Sequence, residues 1–490
     1  MISKKDYQTL CQTFDEILLS DKADNTIIAN TWLHILREHP IFLKNYVYLF
    51  GQTNSVQLAK RKISNLFRFV GISVFRILQS VIHLKFWHSA KDINESDVLF
   101  VSHLTNKDLL AIDKDFYFHD LPSRLDCENI SVTLALINHI KLPNDKQSFV
   151  WKDNPVRRLI LDNTLTFFAE LKIIFGQLKS VLNLKKIMSE LNTPRFLRQH
   201  VYLQMISPET INALRISKQI ALLASKTNSK YLVITYEGHA WERLVFYEAR
   251  KVNPNIKCIG YQHAPIIKHQ HASQRNLSPS YNPDIVLTSG RIGEQQFKDS
   301  NKIKGIDIKC LGSAKSGNFE IKNDINHNAC LVIPEGLISE CLILFEFSLF
   351  CAFKMPKYKF IWRLHPLLSF KDLQDHSKIF ESLPENICLS DKTLDFDVQR
   401  CNSVLYRGST AVINAINGGL KPIYYKLNGE MSIDPIYQHH HGKCIVDCFL
   451  EFKNALMTPL TTQEQAALID FCKNLYSPLN YSLFIELMKK

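Results

Sequence analysis

A chain of 490 residues, 46% hydrophobic and 22% charged, has the length for two or three domains with real cores and is too apolar to be disordered. Its formal net charge of +12 suits nucleic acid, anionic lipid, phosphorylated ligands or a lysine-rich solvated surface. The 12 cysteines lie scattered in apolar runs without paired spacing, which excludes a disulfide framework and points to reduced thiols in a cytoplasmic protein.

The first residues, MISKKDYQTL, hold no signal-peptide core, and no run reaches the ~18 uninterrupted apolar residues of a spanning helix. Residues 1–92 read as a helical region without an obvious strand. Within it, residues 60–91 set Leu66, Phe69, Val70, Val74, Ile77, Leu78 and Val81 at helical spacing, interrupted by Lys60, Arg61, Lys62, Arg68, Arg76 and Lys85. Such a helix either lies in a membrane surface, its cations toward anionic head groups, or packs on its own domain. A Rossmann-like domain is expected over 93–320. Its strands fall at 97–103, 131–138, 231–236, 256–261, 284–288 and 306–311, with a short strand or turn at 116–119. Residues 141–155 form a polar connection and 156–226 a helical insertion. Gly290 and Gly312 mark turns, and the interdomain linker falls in 313–328. A second Rossmann-like domain, 321–460, follows with strands at 329–333, 359–364, 386–389, 403–406 and 421–425 and helices at 339–353 and 411–417. Thr461 and Glu464 make a capping box that opens a helical tail, 461–490.

The organising stretch is 230–264, KYLVITYEGHAWERLVFYEARKVNPNIKCIGYQHA. It reads as strand, polar turn, helix, strand, polar turn. Ligands collect at the carboxyl ends of strands in open α/β sheets. Two such ends carry Glu237, Gly238, His239, Trp241 and Glu242, then Gln262 and His263. Glu237, Glu242 and His263 are the candidate catalytic groups. Glu242 also suits a plain first-turn helix acid, and His263 a strand-end histidine bonded to backbone. In the second domain three more strand ends carry Glu335-Gly336, His365-Pro366 and Gly408-Ser409-Thr410. Arg363 and Arg407 flank two of them. The free N–H groups and hydroxyls of residues 408–410 suit a phosphate, and Glu335 suits ribose hydroxyls, because a carboxylate only accepts.

These motifs resemble the GT-B glycosyltransferases. Bacterial sialyltransferases and related CMP-sugar enzymes carry an acidic-Gly motif, then His-Pro, then Ser-Ser or Ser-Thr. Here Glu237-Gly238, His365-Pro366 and Ser409-Thr410 keep that order. The stretches YEGHAWE and PEGLISECLILFEF also resemble bacterial surface-carbohydrate biosynthesis proteins. One departure is Tyr236, which stands where the family usually has a second acid and leaves Glu242 competing with Glu237 as base. The resemblance implies an α/β fold of two facing Rossmann-like domains and a metal-independent glycosyltransferase without cofactor. It implies a nucleotide-sugar donor, a CMP-sugar of a nonulosonic or Kdo-type acid, and a glycan or glycolipid acceptor. A GT-B relative using another donor, a UDP-sugar transferase or epimerase or a glycerol- or ribitol-phosphate transferase, is the alternative, and a basic nucleic-acid-binding protein is the alternative outside enzymes. His365 would then contact the phosphate, Ser409 and Thr410 its oxygens, and Glu237 the acceptor hydroxyl. Trp241 suits stacking on a sugar face.

Other signals carry less. Asp395-Phe396-Asp397 spells a metal motif of a different fold but sits where acids cap helices. His439, His440, His441, Cys444 and Cys448 match no standard zinc spacing. There is no P-loop pattern, and no stacking motif or zinc-finger spacing points to nucleic acid.

Overall fold

The computed structural model describes residues 2–489 apart from 51–54, 83–86, 90–92, 111, 141–155, 162–164, 192, 194, 301, 318–327 and 367. The expected connection at 141–155 and much of the 313–328 linker therefore lie outside the described residues.

The first sheet holds β1 (Trp87–Ser89), β2 (Val98–Leu104), β3 (Val132–Asn138), β4 (Arg157–Leu161), β5 (Tyr231–Thr235), β6 (Lys257–Gln262), β7 (Ile285–Thr288) and β8 (Asp307–Cys310). Their order is β1-β4-β3-β2-β5-β6-β7-β8, all parallel except β1, which runs antiparallel to β4. The second sheet holds β9 (Ala329–Ile333), β10 (Lys359–Trp362), β11 (Ile387–Leu389), β12 (Ser403–Tyr406), β13 (Lys421–Tyr425) and β14 (Cys444–Val446). It is wholly parallel, in the order β11-β10-β9-β12-β13-β14. Both are doubly wound, and in each the order reverses once, between β2 and β5 and between β9 and β12. Those two switch points open crevices at the carboxyl ends of the strands. The two-domain α/β expectation is met by the sheets themselves.

The strands are continuous apolar runs because helices cover both faces. Every residue of β5 and of β9 is buried. Alternation then divides the core: Val98 and Phe100 point into one layer, Leu99 and Val101 into the other. Leu331 and Ile333 do the same against Cys330 and Val332.

The helical N-terminus shares its core with the first domain. Tyr7, Phe14 and Ile27 pack in one cluster with Ile173, Leu184 and Leu244. The C-terminal segment also differs from a free tail. Thr461 and Glu464 form the reciprocal capping box of helix Thr462–Leu475, which packs on the second sheet. The chain then crosses back: Ser477 N–H donates to Ser289 O at 3.0 Å and Asn480 N–H to Leu311 O at 2.8 Å. Helix Tyr481–Lys489 finally sends Phe484 into the core beside Phe100. Gly312, at φ +88°, is a glycine because a Cβ there would collide with Pro478 O of this returning strap.

Three sequence expectations need correction. Residues 156–226 are not all helical: 157–161 form β4, because RRLIL finds β3 beside it and sheet pairing overrides a window dominated by the helices that follow. Those helices are Phe167–Glu190, Arg195–Met205 and Pro208–Thr227. The N-terminal region does contain a strand, β1. β14 was not foreseen, since CIV is short and only Val446 of it is buried.

Candidate active site

The first wall is built on the ends of β2, β3, β5 and β6. Strand β5 ends at Thr235, and Gly238, at φ +88°, turns the chain into helix Ala240–Val252. A Cβ on Gly238 would strike the backbone of Ala272, so only glycine fits. The turn is held from behind by Glu242. Its carboxylate accepts from the N–H groups of Glu237 (3.0 Å), Gly238 (2.7 Å) and His239 (2.9 Å), and it is 1% exposed. Burial pushes this carboxyl up to about 7, against the pull of His239 and the backbone donors. The expected second catalytic acid is thus a positioning group for the turn.

Glu237, in contrast, is partly exposed, with Oε2 3.4 Å from His239 Nε2. Burial raises its carboxyl, but the hydrogen bond to His239 and the charges of His263, His239 and Arg37 outweigh it and hold it well below the usual carboxylate range. Burial lowers His239, yet Glu237 and Glu242 raise it further, so its net shift is upward. His263 follows β6 with its ring edge-on to Tyr117 at 4.6 Å and no hydrogen-bond partner for its buried Nδ1 among the described residues. Burial drives it down to about 4, so it is neutral. Gln262 is 1% exposed, and its Nε2 donates to Ala264 O at 3.1 Å: it shapes the loop. Trp241 meets His103 edge-on at 5.4 Å.

His103 is the penultimate residue of β2, and its ring touches His139 Nε2 at 2.9 Å and Thr235 Oγ1 at 3.0 Å. Burial and the neighbouring histidines bring His103 down to about 3. Neither His103 nor His139 was among the sequence candidates. The strand-end rule that selected Glu237 would also have found them, since each closes an apolar run.

The second wall is built on the ends of β9, β10 and β12, and their three motifs converge. A Cβ on Gly336 would stand 2.8 Å from His365 Nδ1, and a Cβ on Gly408 would overlap the Glu335 carboxylate. Gly408 also sits at φ +56°. Gly408→Ala is therefore expected to destabilise the chain by about 1–3 kcal/mol and to displace Glu335, read as a lower urea midpoint. His365 is half-buried; burial lowers it, Glu335 pulls it up and Lys315 pushes it down, with a net downward shift. Pro366 is exposed beside it. Ser409 is nearly buried, and Thr410 caps helix Ala411–Asn417 without a side-chain bond.

Both flanking arginines turn out to be braces. Arg407 is fully buried, its guanidinium committed to Glu340 (2.8 Å), Glu430 (2.9 Å) and Tyr425 O (3.2 Å). Arg363 donates to Lys392 O (2.5 Å) and Asp397 (3.0 Å). Asp397 is also held by Arg400 at 2.7 Å, so the apparent Asp395-Phe396-Asp397 motif serves this ion pair.

The largest omission from the sequence reading is the segment Arg37-Glu38-His39. It lies between the walls. His39 Nδ1 accepts from Ile41 N–H at 3.1 Å at the start of helix Pro40–Leu43. That bond assigns the proton to Nε2, which lies 2.7 Å from Glu335 Oε2. His39 thus stands close against the Glu335 carboxylate across the domain boundary, without hydrogen-bond geometry. Glu38 accepts from His269 N–H at 3.0 Å, and burial pushes it up to about 7. Arg37, two residues before His39, lies over the Phe42 ring at 5.1 Å, and its charge acts on Glu237, His239 and His263. Lys315, in the crossover after β8, sits 5.8 Å from the rings of Phe116 and Tyr476 and acts on both His263 and His365. Lys315 thus acts on a group of each wall, and the segment that carries Arg37 and His39 reaches both. A cavity of about 610 Å³ opens elsewhere, beside helix Lys4–Leu18, but its Asp15 is taken by His271 (2.6 Å) and Arg275 (2.5 Å).

No protein-family model matches the chain, and no curated protein does. Among solved structures it is similar to a glycotransferase of kitacinnamycin, at 9% identity over 81% of this chain and 99% of that one, TM-score 0.46. It is similar to MurG of Acinetobacter baumannii, at 9% identity over 80% and 99%, TM-score 0.44. It is also similar to UDP-GlcNAc 2-epimerase of Neisseria meningitidis bound to UDP-GlcNAc, at 9% identity over 80% and 100%, TM-score 0.42.

Proposed function

We propose that the cleft transfers a sugar from a nucleotide donor to a hydroxyl of a glycan or glycolipid acceptor. The observation that carries this reading is the bridging segment: Arg37 acts on Glu237 on the first wall, while His39 Nε2 stands 2.7 Å from Glu335 on the second. Glycosyl transfer requires a proton acceptor and a set of donors for an anion, and the segment between the walls supports that pairing. Glu237 takes the proton of the acceptor hydroxyl as its oxygen attacks the anomeric carbon. The bond from that carbon to the donor phosphate breaks, and its electron pair leaves with the nucleotide. Arg37 and Lys315, which have no carboxylate partner among the described residues, stabilise the departing phosphate with His365, Ser409 and Thr410. Trp241 and His263 line the sugar side.

Uridine nucleotides are the first donors to test, because Tyr236 replaces the second acid of the motif that pointed to CMP. Thermal melts with UDP, CMP and CDP separate the two. The true product nucleotide at 100 times its dissociation constant adds about 2.7 kcal/mol, and His365→Ala is expected to lose most of that gain. Absence of both a shift and sugar turnover with every one of these nucleotides and their sugars would overturn the reading.

A further inference from the structure

Helix Ser55–Ile82 is turned inside out relative to a core helix. The stripe Ile63, Phe67, Val70, Val74, Leu78 and Val81 recurs at steps of three and four and faces outward, with Phe67 74% exposed. Toward the protein it presents Asn65, Ser73 and Ser80 around Phe69; Asn65 donates to Leu203 O at 3.4 Å and Ser80 is 1% exposed. Helix Phe167–Glu190 packs beside it and repeats the pattern. It buries Glu170, Gln177 and Ser180 beside its core contacts Ile173, Leu184, Ile187 and Met188, yet exposes Phe168, Phe175, Leu178 and Leu182. An aqueous surface gives no reason to bury polar groups and expose aromatic ones on two neighbouring helices, and so large an apolar patch marks a docking face.

The charges around the patch have one sign. The sequence of Ser55–Ile82 contains no acid, and Lys60 and Arg68 are exposed on it. On the second helix Lys172, Lys179, Lys185 and Lys186 are exposed, whereas its two acids are engaged, Glu170 with Arg215 at 2.7 Å and Glu190 with Lys22 at 2.5 Å. By length and composition Ile63–Ile82 is able to cross a membrane. Its packing along the domain through Asn65 and Phe69 keeps it lying flat instead. We propose that these two helices form a membrane-docking face that seats its apolar stripe in the head-group region of an anionic bilayer, with the lysines and arginines against lipid phosphates and carboxylates. This proposal takes up the membrane-surface reading of residues 60–91 over its described part and adds a second helix that the sequence did not suggest.

The test is flotation of the full chain with vesicles of phosphatidylcholine alone and of phosphatidylcholine with about one-third phosphatidylserine. The expected result is binding to the anionic vesicles, at least tenfold stronger than to the neutral ones and weakened by salt. The double variant Phe67→Glu, Phe175→Glu is expected to lose at least ten-fold in binding with an unchanged melting temperature, since both side chains stand in solvent. Equal binding to both vesicles, no binding, or full binding by the double variant would overturn the proposal. So would a dimer in light scattering that the same variant splits, because the face would then join two copies of this chain. The proposal does not rest on the sugar-transfer reading, and flotation needs no substrate, so the two fail separately.

Discussion

Glu237→Gln is expected to lower sugar transfer by about 10²–10⁴-fold while nucleotide-induced stabilisation persists. The amide keeps the shape and can still face His239, but it cannot take a proton. The loss should appear in kcat, with KM for the donor little changed, because the donor contacts lie on the other wall. The pH profile gives a sharper reading. The carboxyl is held below its ordinary range, with burial opposing and His239, His263 and Arg37 prevailing. The base is therefore ionised through mildly acid pH, and wild-type transfer should fall only below the usual carboxylate range. In His239→Asn the hydrogen bond and one positive charge go while the burial stays. The Glu237 pKa must then rise, and the acid limb moves to higher pH. An unmoved limb, or transfer retained in Glu237→Gln, would remove Glu237 as the base.

What the sequence showed and what it hid divide along a physical line. β9, β12 and β13 were read to the residue, and β5 to within one, because each is a short apolar run closed by a polar turn, and in a parallel sheet that pattern is complete within the segment. The convergence of Glu335, His365 and Gly408 was also legible, since parallel neighbouring strands put their carboxyl ends on one edge. β4 was hidden because Arg157 and Arg158 open it and long helices follow; only its partner β3 makes it a strand. Burial separates Glu242 and Arg407 from Glu237 and His365, and residue type alone does not reveal it. The Arg37-Glu38-His39 segment has no local reason to enter the cleft, for its placement comes from tertiary contacts with His269 and Glu335. A signal did exist: His39-Pro40 repeats the His365-Pro366 pair.

Arg407→Ala is expected to destabilise the chain by about 3–5 kcal/mol, read as a lower urea midpoint for the second domain. One guanidinium serves two carboxylates, Glu340 at 2.8 Å and Glu430 at 2.9 Å, and all three side chains are all but excluded from water. Burial raises the Glu430 carboxyl even with Arg407 beside it, so without the arginine it must take up a proton or draw in water. Glu340 has a second source of support in the first turn of helix Ile338–Lys354, where an acid is favoured by about 0.3–1 kcal/mol, far less than the charge it would lose. Arg407→Lys should recover only part of the loss, because an ammonium is a point charge and cannot reach Glu340, Glu430 and Tyr425 O at once. Replacing both carboxylates in the alanine background, as Glu340→Gln and Glu430→Gln, should restore more stability than the lysine does, since it removes the unpaired charges themselves. A phosphate-binding role for Arg407 makes the opposite forecast: the midpoint of Arg407→Ala would stay put and only the nucleotide shift would vanish. The geometry favours the brace, because an arginine already holding two buried acids next to Gly408 has every guanidinium nitrogen engaged.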